Sequence, residues 1–433
     1  MTPVPPTRRG ACPAFLSPME TGDGLILRLV PADGTLATAQ VRGLAAAAIA
    51  FGSGLMEVTA RGSLQVRGLR RETVAPLQEA TWALGITPRL GLAIDVSPLS
   101  GLDPREIADG RPLADAIRAG AAALADRLGP KVSVVIDGGG AIRLDGRKAD
   151  VRLVAMRPGS DVLWSVAIGG GAAVLLPEAE AAARTVAALA GLAALGRAAR
   201  ATDLPGGAAS PRLAATARSP IGLLPLADGS LACGIGLPFG AADAATFTAL
   251  ADAVDAAGAR DLRPAPERGL IATGLDAAGA RAFAEAAERL GCLVRADDPR
   301  AFIAACPGAP ACASAHFPSR QLAPAVAQAL GPLLDGSVTV HLSACSKGCA
   351  HPAPATLAFV GMDARVALVH EGAASQAAGP LRPADTLAAD LAALAEGAIR
   401  VRRPGETGRE ALRRMAVADL WASKGHLKAM IET

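Results

Sequence analysis

The sequence predicts an α+β fold built twice within one chain, and three observations predict it. The first is a repeat. Gly68-Leu69, followed by an apolar-periodic segment ending at Leu84-Gly85, returns as Gly274-Leu275 with a segment ending at Leu290-Gly291, an offset of 206 residues (274 less 68). The same offset carries Leu44-Ala45 to Leu250-Ala251, Val132-Ser133-Val134 to Val338-Thr339-Val340, and Met156 to Met362. The second is periodicity: short apolar strand patterns alternate with longer helical ones inside each copy. The third is composition, because 433 residues with 51% apolar and 19% charged content describe a globular chain of more than one unit.

Taken in order, copy one begins with a strand over Leu25 to Val30. A helix follows from Leu36 to Phe51, then a strand over Leu64 to Val66 and a helix from Glu72 to Leu84, a split β-α-β pattern. A helix from Pro112 to Leu128 and strands at Val132 to Ile136, Val151 to Ala155 and Val162 to Ile168 form a larger α+β lobe. Each copy runs from near Gly24 or Ser230 to near residue 180 or 386, and a helical tail follows the second. Residues 198–220, rich in Ala, Gly, Pro and Ser, read as the linker. Two such copies pack about a pseudo-two-fold axis, with a cleft between them for a ligand.

Charge and hydropathy narrow the function classes. A net charge of +3, from 43 basic and 40 acidic residues, is too balanced for a partner dominated by nucleic-acid phosphates. The run Thr185 to Gly196 is too short for a membrane span, which needs about 20 apolar residues. Arg8-Arg9 lacks the apolar region of an export signal, being followed by Pro13, Pro18, Glu20 and Asp23, so the expected location is cytoplasmic. There thiols stay reduced, and clustered cysteines mean metal. Gly138-Gly-Gly140 and Gly169-Gly-Gly171 lie between strands and read as turns, so no nucleotide site is expected.

Copy two contains Cys306-Pro-Gly-Ala-Pro-Ala-Cys312 and Cys345-Ser-Lys-Gly-Cys349. Four thiolates in two short-range pairs match the needs of a 4Fe–4S cluster, one cysteine per iron. Zinc is the rival metal, although its usual Cys-x2–4-Cys spacing is narrower than the first pair. Cys12, Cys233 and Cys292 are scattered, and Cys233 and Cys292 read as buried small hydrophobes. Moved back by 206, the four cysteines fall on Ser100, Glu106, Gly139 and Arg143, so copy one has no cluster. It carries basic residues instead: Thr59-Ala-Arg61-Gly-Ser-Leu-Gln65-Val-Arg67 places Arg61, Gln65 and Arg67 on one face if the segment is extended, a face suited to anions.

Together, Thr59-x-Arg61-x-x-x-Gln65, the duplication and the Cys-x5-Cys and Cys-x3-Cys pairs resemble the nitrite and sulfite reductase superfamily, over residues 12 to about 400. Arg9-Gly-Ala-Cys12-Pro13, Thr21-Gly-Asp-Gly-Leu25, Ser97-Pro-Leu-Ser-Gly101-Leu-Asp103-Pro and Cys345-Ser-Lys-Gly-Cys349-Ala-His-Pro resemble its oxygen-dependent branch. That resemblance implies a monooxygenase that hydroxylates precorrin-3A with γ-lactone formation in aerobic cobalamin biosynthesis. It also implies ferredoxin-like half-domains over 12–95 and 221–300, with α+β lobes over 96–197 and 301–433, the latter holding the cluster.

The resemblance further makes Arg61 the catalytic anion-binding arginine and Lys131 the first of two active-site lysines, Ser133 replacing the second. A further arginine of the reductases falls near Leu92, which leaves two of four cations missing and makes sulfite reduction unexpected. Arg28, Arg61, Gln65 and Arg67, with Arg70 and Arg71, are then the residues for the substrate's carboxylates. Implied cofactors are the 4Fe–4S cluster and a mononuclear non-haem iron, with sirohaem bound only if the chain were instead a nitrite or sulfite reductase. A plain iron–sulfur electron carrier is the second alternative. Implied partners are precorrin-3A, dioxygen and an external electron donor. His316, His341, His351 and His370 form no evident facial triad and read as structural residues.

Overall fold

The computed structural model of the protein describes residues 13–144, 146–205, 219–415, 417 and 421. Arg8, Arg9 and Cys12 lie outside the described residues. Copy one comprises β1 (Met19–Thr21), β2 (Gly24–Leu29), α1 (Thr38–Phe51), β3 (Leu55–Val58), β4 (Leu64–Leu69), α2 (Val74–Ala83), β5 (Ala93–Asp95), α3 (Arg111–Gly120), β6 (Ser133–Asp137), β7 (Val151–Met156), β8 (Leu163–Ile168), β9 (Val174–Leu176) and α4 (Glu178–Leu195). Copy two has β10 (Gly222–Pro225), β11 (Leu231–Gly236), β12 (Ala241–Asp243), α5 (Ala244–Ala256), β13 (Asp261–Ala265), β14 (Gly269–Leu275), α6 (Ala277–Arg289), β15 (Ile303–Ala305), α7 (Ser319–Leu330), β16 (Val340–Ser343), β17 (Ala355–Met362), β18 (Arg365–Gly372), β19 (Leu381–Pro383) and α8 (Leu387–Val401), followed by α9 (Gly408–Arg414).

Four sheets carry the duplication. The half-domain sheets run β1-β2-β4-β3-β12 and β10-β11-β14-β13, and the lobe sheets run β5-β6-β7-β8-β9 and β15-β16-β17-β18-β19. The halves exchange edges: β12 of copy two pairs with β3 of copy one, and Leu36 bridges Leu262 in the reciprocal place. A single apolar core fuses both half-domains, with Leu44 and Ala48 of α1 beside Phe247 and Leu250 of α5. Each lobe has its own core.

The structure departs from the sequence reading in several places. The strand β3 is unannounced, because it has only four residues and its adjacent apolar Leu55 and Met56 break the alternation, although Glu57 falls where a polar residue is expected and is nonetheless buried. The helix expected to reach Leu128 ends at Gly120, which is pressed against Val186: a Cβ there would lie 2.8 Å from Val186 Cγ2. The repeat is also not in one register throughout. Val134 and Val340 are 206 apart, but their neighbours Ile94 and Ile303 in β5 and β15 are 209 apart. The Cys306–Cys312 loop therefore corresponds to Ser97–Asp103 rather than to Ser100–Glu106. Within 198–220, Ala199 and Ala201 are buried and Arg200 pairs with Asp150 at 2.9 Å, while residues 206–218 lie outside the described set. Among the described residues no helix is long and apolar enough to cross a membrane.

Candidate active site

Arg61 does not share a strand face with Gln65 and Arg67. It lies in the β3–β4 turn, where Gly62 takes φ 76° and the Gly62 N–H donates to the Thr59 carbonyl. That turn aims Arg61 at the carboxyl end of β5. Its Nε and Nη2 donate to Asp95 Oδ2 at 3.0 and 2.8 Å, and Nη1 donates to the Lys148 carbonyl at 3.3 Å. Two residues that the sequence reading passed over join it. Arg147 Nη1 reaches Asp95 Oδ2 at 3.3 Å, and Arg89 Nη2 reaches Asp95 Oδ1 at 3.5 Å. Arg147 also donates to the Ala60 and Arg61 carbonyls, which fixes the turn.

Three guanidiniums thus surround one carboxylate that is 9% exposed. Burial pushes the Asp95 carboxyl up, but the charges of Arg61, Arg147 and Arg89 outweigh it and hold the group below the usual carboxylate range. Burial lowers the Arg89 and Arg147 guanidiniums below their ordinary values, the charge of Asp95 acting against it. Three cations on one anion leave an excess of positive charge, and guanidinium forks suit a carboxylate. Glu267, at the turn that mirrors Arg61 in copy two, faces the same place, its N–H bonded to the Ala60 carbonyl at 3.1 Å. Positions 92 and 133 carry no cation, and Arg89 and Arg147 reach Asp95 from other points of the chain. Asp95 could have been noticed as a lone acidic residue closing an apolar strand at its carboxyl end, where open parallel sheets bind ligands.

Of the other expected anion-binding residues, Arg28, Gln65 and Arg67 belong to an internal network. Arg67, 3% exposed, donates through Nε and Nη2 to Asp23 at 2.9 and 2.8 Å and through Nη2 to the Ala311 carbonyl at 2.9 Å. Gln65, its amide turned to satisfy both neighbours, donates to Glu57 at 2.9 Å and accepts from Arg28 at 2.9 and 3.0 Å. Arg320 donates to the same Glu57 at 2.6 Å. Arg70 and Arg71 are solvent-exposed and pair with Glu72 and Glu20. Lys131 is half-buried before β6, and the Ser133 N–H donates to Asp150 Oδ2 at 3.0 Å.

The cysteine loops meet in copy two. Cys306 is buried, Cys312 and Cys345 are half-buried, and Cys349 is exposed. The Cys306 sulfur accepts the Ala344 N–H at 3.2 Å, and Lys347 Nζ donates to Ser314 at 2.7 Å, so each loop touches the other. Burial raises the Cys345 thiol, and the neighbouring Cys306 and Cys312 thiols raise it further. Gly308 and Gly348 have φ 74° and 61°, and a Cβ on Gly308 would lie 2.4 Å from the Ser319 nitrogen. In copy one the corresponding loops are joined without thiols: Asp103, in the place of Cys312, accepts the Ala141 N–H. Cys233 and Cys292 are buried in the half-domain core, which pushes both thiols up to about 11.

Among the described residues no three His, Cys, Asp or Glu side chains close on a single ion. A cubane does not require that, since each thiolate holds a different iron. A mononuclear iron does require it, and the described side chains offer no such ligand set. His341 is fully buried with neither ring nitrogen partnered, and its ring centroid lies 5.7 Å from that of His351. Burial, with the charges of His351 and Arg268, pushes His341 down to about 3, so the ring is neutral. His370 is half-buried, its Nε2 unpartnered, and His316 is exposed.

This architecture is that of the nitrite/sulfite reductase-like proteins. Residues 17–84 match the nitrite/sulfite reductase ferredoxin-like half domain. The fold resembles the structure of the Mycobacterium tuberculosis NirA protein, with TM-score 0.68 and 19% identity over 90% of this chain and 83% of that one. The sequence is 36% identical to a precorrin-3B synthase from Sinorhizobium sp. over 96% of this chain and 94% of that protein. The chain belongs to the precorrin-3B synthase family.

Proposed function

We propose that the protein hydroxylates precorrin-3A with γ-lactone formation, using dioxygen and an external two-electron donor, in aerobic cobalamin biosynthesis. One oxygen atom enters the macrocycle and the other leaves as water with two protons. The observation that carries this reading is the near-full-length similarity to a precorrin-3B synthase. The arginine cluster supports it, because the substrate is a macrocycle edged with carboxylates. Arg61, Arg89 and Arg147 hold one of these, and Asp95 keeps the three forks converged before the ligand arrives. Arg61 is the most exposed of the three, at 43%, and makes the first contact. Lys131 is half-buried ahead of β6, four residues before Val135, the strand partner of Asp95.

Cys306, Cys312, Cys345 and Cys349 suit a 4Fe–4S cluster. The fit rests on the shared charge environment of three thiols, the Ala344 N–H to the Cys306 sulfur, and glycines where the loops turn. Such a cluster supplies one-electron transfer between the donor and the substrate cleft. The sirohaem reductase alternative has the likeness of fold in its favour, and the identity that accompanies it is 19%. Incubation with precorrin-3A and a reductant, in air and under argon, tests the reading: a lactone product in air alone is expected, with sulfite and nitrite left unreduced. Product under argon, or reduction of sulfite, contradicts it.

A further inference from the structure

Arg67 belongs to copy one, which carries none of the cluster cysteines, yet it ends against the loop that carries two of them. We propose that Arg67, locked by Asp23, is the positioning residue through which copy one holds the Cys306–Cys312 loop and adds a buried positive charge beside the cluster. Its guanidinium is 3% exposed, and one Nη2 serves both Asp23, at 2.8 Å, and the Ala311 carbonyl, at 2.9 Å. Ala311 directly precedes Cys312. The turn that presents Asp23 lies on the same loop. A Cβ on Gly22 would stand 2.6 Å from the Pro310 oxygen, 2.7 Å from the Ala313 nitrogen and 2.9 Å from the Cys312 carbonyl carbon, so only glycine permits the approach. Thr21 Oγ1 donates to Asp23 at 2.7 Å, which fixes the acceptor.

A second strut runs parallel to the first. Arg320, on the helix that follows the loop, donates to Glu57 of β3 at 2.6 Å, and Arg67 Nη1 stands 3.6 Å from the same carboxylate. Arg67 and Arg320 thus share Glu57, which Gln65 also reaches, while Asp23 pairs with Arg67; Arg28 bonds the other end of the Gln65 amide. Arg67 itself is 3% exposed, and in so dry a site the reach of its charge is longer than in water. A cation there favours the reduced, more negative cluster.

The inference rests on the cluster assignment above, and its test separates the two. The full chain with a reconstituted cluster is titrated potentiometrically, the reduced cluster being followed by electron paramagnetic resonance. Arg67→Gln removes the cation and should shift the oxidised-to-reduced ratio about tenfold toward the oxidised form, which is about 59 mV lower for a one-electron couple. Asp23→Asn leaves the cation less neutralised and should shift the ratio the other way, while Arg67→Lys should stay near wild type. Amide exchange across residues 303–318 should quicken in Arg67→Gln and Arg67→Lys alike, because lysine lacks the fork. A role in packing alone moves exchange but cannot invert the sign of the potential shift between Arg67→Gln and Asp23→Asn. Wild-type potentials in cluster-loaded variants, or shifts of one sign, overturn the proposal. A wild-type protein that takes up no cluster overturns the cluster assignment instead.

Discussion

Replacing Arg147 by glutamine isolates the contribution of the cluster around Asp95 to substrate binding. Arg147 is 14% exposed, and its Nη1 stands 3.3 Å from Asp95 beside the bidentate Arg61. If one of its N–H groups meets a substrate carboxylate, that charge-assisted hydrogen bond contributes about 1.5–3 kcal/mol. Losing it should weaken precorrin-3A binding roughly ten- to hundredfold, at 1.4 kcal/mol per decade. The remaining Arg61 and Arg89 still balance Asp95, so the fold should survive, and glutamine can keep a bond to the Ala60 carbonyl. Binding is followed anaerobically by the visible absorption of the tetrapyrrole, with circular dichroism and cluster content matched to wild type. Arg71→Gln, at a position 87% exposed and paired with Glu20, serves as the control for lost surface charge. Affinity of Arg147→Gln within twofold of wild type would refute the reasoning.

Three further outcomes follow from the same geometry. Each of Cys306→Ser, Cys312→Ser, Cys345→Ser and Cys349→Ser should lose most bound iron and acid-labile sulfide, and full cluster content in a Cys345→Ser/Cys349→Ser double variant would remove these residues from the assignment. Arg61→Lys should recover only part of the binding lost in Arg61→Ala, since an ammonium cannot reproduce the two bonds to Asp95 at 3.0 and 2.8 Å. His341, pushed down to about 3 from an ordinary 6.5, stays neutral in the folded protein while the unfolded chain takes up a proton, so stability falls as pH drops below 6.5, by about 2 kcal/mol at pH 5. Denaturant midpoints at pH 8 and pH 5 should draw together in His341→Leu; an unchanged difference would mean that the ring is not buried uncharged.

The duplication was legible in the sequence because repeated apolar patterns such as Gly68-Leu69 and Gly274-Leu275 reflect repeated packing. The cysteine pairs were legible because their spacing is local. What escaped were contacts set by tertiary approach. Arg89 and Arg147 are 58 residues apart and meet only because the segment before β5 and the β6–β7 loop converge on Asp95, which no local spacing reveals. Arg67 looked like a ligand residue because strand alternation cannot reveal that Asp23 and the Ala311 carbonyl fill its fork. The face imagined for residues 61 to 67 failed at Gly62, whose φ of 76° makes a turn where an extended strand was assumed. The slip from 206 to 209 residues at β5 and β15 left the apolar pattern on either side intact, which hid it.

The most direct test of the central claim is the origin of the oxygen in the product. The cluster-loaded protein is incubated with precorrin-3A, a low-potential electron donor and ¹⁸O-labelled dioxygen, and the macrocycle is analysed by mass spectrometry. The account predicts one labelled oxygen atom per product molecule, with no label taken from water. A product whose new oxygen comes from water, or an unmodified macrocycle while the protein reduces sulfite or nitrite, would contradict it.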